Sequence, residues 1–82
     1  MRVQKKDGQE EEFNREKLKK SLLAAGATES EAESVALKIE EWAPTVAFND
    51  VVHTQVIRAK VIELLGQINS SAAEAYESYS KA

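Results

Sequence analysis

The sequence predicts an α+β fold, with an N-terminal β-hairpin or small three-stranded sheet capping a four-helix bundle. Three observations carry that reading. Asp7-Gly8 stands between two short extended segments, and Asp-Gly is among the strongest hairpin signals. Behind it, helix-start residues recur before apolar positions spaced at threes and fours. The length of 82 residues suits one core, expected as a single domain over residues 1–82, alone or within a longer protein.

The hairpin is expected over about residues 2–13. A two-residue loop would set Val3 across from Glu12. An Asp7-Gly8-Gln9 loop sets it across from Phe13 and pairs Lys5 with Glu11 on the same face, which buries the strands more sensibly. Asn14 caps a first helix over about 15–25, whose stripe of Phe13, Leu18 and Leu22 ends at Gly26, a C′ residue. Thr28 and Glu31 form a capping box for a second helix, 29–43. There Ala32, Val35, Ala36, Ile39, Trp42 and Ala43 repeat until Pro44, which is expected to stop it. Around Asn49-Asp50, Thr45 to His53 reads as an extended connector or a short third strand. Thr54 is the expected N-cap of a third helix, 55–66, read from the spacing of Ile57, Val61, Leu64, Leu65 and Ile68, with Gly66 near its end. Ser71 and Glu74 offer a capping box for a thin closing helix, 71–80, with Ala72, Ala75, Tyr76 and Tyr79 on its apolar stripe.

Composition removes several classes of function. Without cysteine there is no disulfide framework and no thiolate zinc site, and a reducing cytoplasm is the expected location. No apolar run approaches a membrane span, so no membrane partner is expected. A net charge of −3 argues against direct nucleic-acid binding, which draws on a broad basic face. The charge is uneven: residues 1–20 carry seven basic and five acidic side chains, residues 21–82 four basic and nine acidic. An anion site therefore belongs near the N-terminus, although a lysine-rich helix face is more often simply solvated.

Catalytic signals are absent, and the sequence is read as non-enzymatic with no metal ligands. His53 is the sole histidine and reads as a surface or capping residue. Glu40-Glu41 and Glu10 to Glu12 read as solvated carboxylates, and no glycine-rich phosphate loop or nucleophile elbow is present. What remains is Lys5 and Lys6 entering the turn, and Lys17 on the first turn of the next helix. Converging ammonium groups, with backbone amides at the turn or helix start, suit a polyphosphate.

The run Val3-Gln4-Lys5-Lys6-Asp7-Gly8, then Glu11, Phe13-Asn14-Arg15-Glu16-Lys17-Leu18, and later Val52-His53-Thr54 with Ile57, Val61, Leu64 and Tyr76, resembles an ATP-cone domain over nearly the whole chain. ATP-cones open on V-x-K-R-D-G, followed by a phenylalanine and a D-R-E-K-[IL] run. They are regulatory adenine-nucleotide modules of ribonucleotide reductase large subunits, of the ribonucleotide reductase repressor and of some archaeal kinases. The resemblance implies ATP or dATP, with Mg²⁺, under the hairpin and against the first and third helices. It turns Lys5, Lys6 and Lys17 toward phosphates or ribose and places the backbone around Val3 at adenine. Glu11 and Asn14 match pocket-lining positions. Thr54 and Arg58 match a third-helix pair, with Arg58 where a histidine is common and within reach of a phosphate.

Two departures stand out. Lys6 replaces the usual arginine, keeping the charge but losing the planar fork, which bears on affinity and on preference between ATP and dATP. The closing helix is alanine-rich, so one nucleotide is expected rather than two. The implied function is non-catalytic control of the association or activity of a host or partner protein: a ribonucleotide reductase-like enzyme, a repressor or a kinase. A homo-oligomer is among the assemblies left open. The alternative is a degenerate cone that serves protein-protein interaction without nucleotide, which exposure of Trp42 or Tyr79 would favour.

Overall fold

The computed structural model describes residues 1–79. Its elements are β1 (Arg2–Gln4), β2 (Glu10–Glu12), α1 (Arg15–Ala24), α2 (Glu29–Val46), β3 (Val51–His53), α3 (Thr54–Ile68) and α4 (Ser70–Tyr79). The fold is α+β, with the strands in one three-stranded sheet of order β2-β1-β3. β2 runs antiparallel to β1, and β3 runs parallel to it, so the connector between α2 and α3 does supply a third strand.

The hairpin register differs from both expected ones. Arg2 pairs with Glu12, Val3 with Glu11 and Gln4 with Glu10. The loop has three residues, as one reading required, but they are Lys6-Asp7-Gly8. Lys5 N–H donates to the Gln9 carbonyl at 2.7 Å, and Gly8 N–H to the Lys5 carbonyl at 2.9 Å. Gly8, at φ +88°, takes the left-handed position that ends such a loop, and Asp7 Oδ1 accepts from Gln9 N–H. Three consecutive glutamates are poor strand formers, yet each finds a cation. Glu10 meets Arg2 at 2.9 Å, Glu12 meets the N-terminal amine at 3.0 Å, and Glu11 meets Lys5 and Lys17.

The helix starts follow local chemistry. Asn14 Oδ1 accepts from Lys17 N–H at 3.1 Å, and the Thr28–Glu31 capping box is complete. α1 closes in a Schellman motif around Gly26 (φ +104°), with Ala27 N–H bonded to the Leu22 carbonyl and Gly26 N–H to the Leu23 carbonyl.

Three expected helix boundaries are corrected. α2 continues through Pro44 to Val46, because a proline in the exposed last turn forfeits only one bond there. The Thr45 hydroxyl donates to the Trp42 carbonyl at 2.6 Å and eases that end. Asn49 and Asp50, both with positive φ, then form a two-residue turn in which Phe48 and Val51 bond to each other. His53, not Thr54, caps α3, its Nδ1 accepting from Gln55 N–H at 3.2 Å. α3 passes Gly66 to end at Ile68.

At α4 the expected Ser71–Glu74 box is replaced by Asn69, whose Oδ1 accepts from Ala72 N–H at 3.0 Å. Asn69 Nδ2 also donates to Glu31 Oε1 at 3.0 Å, tying the start of α4 to the capping box of α2. The Thr28 N–H first, and Asn69 second, hold the Glu31 carboxyl below the usual carboxylate range. Asn69→Ala is therefore expected to cost about 1–2 kcal/mol and lower the melting midpoint by about 5–10 °C. A calorimetric scan checks this, and an unmoved midpoint would deny the link any weight. The expected end of this helix at Ser80 lies outside the described residues.

One core joins the layers. Leu22 of α1, Val35 and Ile39 of α2, and Val61 and Leu65 of α3 are its largest fully buried side chains. Val3 and Val52 extend it from the sheet, and Ala72 and Ala73 from α4. The small alanines let α4 lie close along α3, which brings Tyr76 over the start of that helix. No helix among the described residues is long and apolar enough to cross a membrane.

Candidate functional site

A cleft of about 460 Å³ opens between the hairpin, the first turns of α1 and α3, and α4. Strand alternation turns Val3, Lys5 and Glu11 toward it. Helical spacing presents Asn14, Lys17, Leu18 and Ser21 from one face of α1 and its cap, and Thr54, Ile57 and Arg58 from α3. With Lys6 at the turn, the residues that the family resemblance turns toward a nucleotide (Val3, Lys5, Lys6, Glu11, Asn14, Lys17, Thr54 and Arg58) all line this cleft.

β1 is the central strand, and Val3 is aligned with Glu11 on one side and Val52 on the other. Its side chain offers the cleft a buried isopropyl group.

The electrostatics favour an anion. Lys5, Lys6, Lys17 and Arg58 face the cleft, against Glu11 and Glu12. Glu12 is already satisfied by the N-terminal amine, whose pKa it raises through their hydrogen bond. Glu11 sits between two lysines: Oε2 lies 3.3 Å from Lys5 Nζ and Oε1 lies 3.4 Å from Lys17 Nζ. Those contacts, Lys5 first, hold its carboxyl below the ordinary range. The N-terminal ends of α1 and α3 also border the cleft, through Asn14 and Lys17 and through Thr54 and Gln55. Their dipoles and first-turn N–H groups add positive potential.

Arg58 Nη2 donates to the Glu77 carbonyl in the last turn of α4 at 2.7 Å, while Arg58 Nε is buried without a hydrogen bond among the described residues. Beside it, burial pushes the Tyr76 phenol above its ordinary pKa, and the Arg58 charge partly offsets this. Tyr76, Phe13, Leu18 and Ile57 give the cleft an apolar wall.

Sequence reasoning assigned those apolar residues to the core alone. Ser21, Leu18 and Ile57 share helical faces with Lys17, Thr54 and Arg58, a spacing that could have placed them. Tyr76 had no such signal, since its position depends on how α4 packs. The described residues hold no group of three or more His, Cys, Asp or Glu that could bind a metal ion, and His53 is used as a cap.

A cationic rim over an apolar wall, entered by two helix N-termini, has the character of a site for a nucleoside phosphate. The family model of the ATP cone domain matches residues 1–82, the whole chain. The chain belongs to the ATP cone family. ATP cones are regulatory nucleotide-binding modules without catalytic activity of their own, and they generally take ATP or dATP. No curated protein matches the sequence. In ATP-cone terms, the V-x-K-R-D-G opening is here the β1 strand and its loop, and the D-R-E-K run is the cap and first turn of α1.

Proposed function

We propose that this ATP cone binds one ATP or dATP in the cleft and uses its occupancy to control association or activity of a host or partner protein. The observation that carries the proposal is convergence. Lys5, Lys6, Lys17 and Arg58 come from three separate elements to one cleft beside two helix N-termini. The lysines suit the phosphates as compact charges, Arg58 can add its guanidinium, and the Thr54 hydroxyl and Asn14 amide supply neutral hydrogen bonds. The base would lie on the apolar wall. Mg²⁺ arriving with the nucleotide would keep phosphate oxygens and water as its ligands, as that ion commonly does.

Regulation follows if the bound and free forms dock differently on a partner, because a ligand shifts an equilibrium only by its differential affinity for two states. Trp42, a candidate for an interaction surface, is half-buried with Lys60 Nζ 5.3 Å from its ring centroid, so it does not offer an open aromatic face. The Tyr79 side chain is outside the described residues.

Isothermal titration with ATP, dATP and GTP tests the proposal. A charge-assisted contact contributes about 1.5–3 kcal/mol, so Lys5→Ala and Lys17→Ala should each weaken ATP binding by about one to two decades. Each substitution also leaves Glu11 less neutralised beside the ligand. Unchanged affinity in both variants would remove the cleft as the nucleotide site.

A further inference from the structure

An anion site that carries its own inward-facing carboxylate needs an explanation. Strand register puts Glu11 across from Val3 on the cleft face, while Glu10 pairs with Arg2 and Glu12 with the N-terminal amine. Glu11 spends one oxygen on a lysine of the hairpin and the other on a lysine of α1. It thereby straps those two elements together across the mouth of the cleft.

We infer that Glu11 is a resident counter-anion which the phosphates of the ligand must displace, and that it sets the affinity of the site. The inference rests on the reading of this cleft as a polyphosphate site. Three features support exchange rather than a permanent structural pair. At 3.3 and 3.4 Å the Glu11 contacts are longer than the Arg2–Glu10 and Lys19–Glu33 pairs, at 2.9 and 2.8 Å. Well-formed charge-assisted bonds lie near the shorter values. Second, Glu11, Lys5 and Lys17 are 42%, 44% and 65% exposed, so water can replace each contact as it breaks and little desolvation is at stake.

Third, the geometry matches the ligand class. The two lysines are bridged by the two oxygens of one carboxylate, and a chain of adjacent phosphates can take both at once while also reaching Lys6. The carboxylate then turns to solvent. In the free protein Glu11 relieves repulsion between Lys5 and Lys17; in the bound protein the phosphates do the same work. The strap between hairpin and α1 thus persists in both states with a different anion at its centre. The cost of evicting Glu11 lowers affinity and keeps binding reversible as ligand concentration changes.

The deciding probe is inorganic tripolyphosphate, which has neither base nor ribose, titrated alongside ATP into the full chain. Glu11→Gln keeps size and register but removes the charge, and should tighten tripolyphosphate binding about three- to thirtyfold, the relief of two exposed ion pairs. Glu11→Asp, with its charge retracted by one methylene, should fall between the two. Circular dichroism melts establish that each variant is folded. Equal or weaker tripolyphosphate binding by folded Glu11→Gln would overturn the inference. If the unsubstituted chain binds tripolyphosphate but not ATP, and Glu11→Gln still tightens it, the nucleotide reading fails while the counter-anion role stands.

Discussion

Replacing Ile39 with alanine is expected to lower the melting midpoint by about 10 °C or more and to leave part of the population unfolded under mild conditions. Ile39 is fully buried at the centre of α2, within the cluster that Leu22 enters from α1 and Val61 and Leu65 from α3. Truncating such a side chain costs about 2–5 kcal/mol, the sum of lost transfer energy and the cavity left behind. A domain of this length has a total stability of about 4–12 kcal/mol, so the loss is a large part of the whole. At about 4–8 °C per kcal/mol for this size, the shift is easily measured by calorimetry. Leu37, two residues away and 40% exposed on the opposite side of α2, provides the control: Leu37→Ala should move the midpoint far less. Equal shifts in the two variants would mean that α2 does not bury the face described.

The same physics explains how much of this architecture is legible in sequence. The α1, α2 and α3 core stripes, the Asn14 cap, the Thr28–Glu31 box and the Gly26 terminus depend on residues at most four apart, and each is where local chemistry puts it. The misread features depend on neighbours that local pattern does not contain. Asp7-Gly8 marks the turn, but the left-handed Gly8 closes the loop rather than opening it, which moves the register by one pair relative to the nearer expectation. Pro44 reads as a stop only if a helix is assumed to need every bond, and in a solvent-facing last turn it does not. Asn69 outcompetes Ser71 as the start of α4 because Glu31, 38 residues earlier, holds its amide.

For the site, the charge asymmetry pointed to Lys5, Lys6 and Lys17, which are local to the hairpin and α1. Thr54 and Arg58 came only from the family resemblance, since nothing in periodicity says that the start of α3 returns beneath the hairpin. That return is enforced by β3, whose parallel pairing with β1 delivers Thr54 directly after His53 at the cleft. The Arg58 contact to Glu77 and the place of Tyr76 belong to the packing of α4, which thin alanine contacts specify only in three dimensions.

ATP or dATP at 100 times its dissociation constant should raise the melting midpoint by about 10–20 °C, because ligand that binds only the folded state adds about 2.7 kcal/mol at that saturation. The cleft draws its walls from the hairpin, α1, α3 and α4, so a bound nucleotide must leave before any of these can separate. Its binding energy therefore opposes global unfolding rather than the fraying of one element. Scans with ATP, dATP, GTP and inorganic tripolyphosphate divide the contributions. A shift with tripolyphosphate alone measures the lysines and helix ends, and any excess with ATP measures the base on the wall of Phe13, Leu18, Ile57 and Tyr76. Equal shifts with ATP and GTP would show that this wall does not select adenine. No shift with any of the four at millimolar concentration would refute nucleotide sensing by this chain, and would return the cone to the alternative of a protein-interaction module.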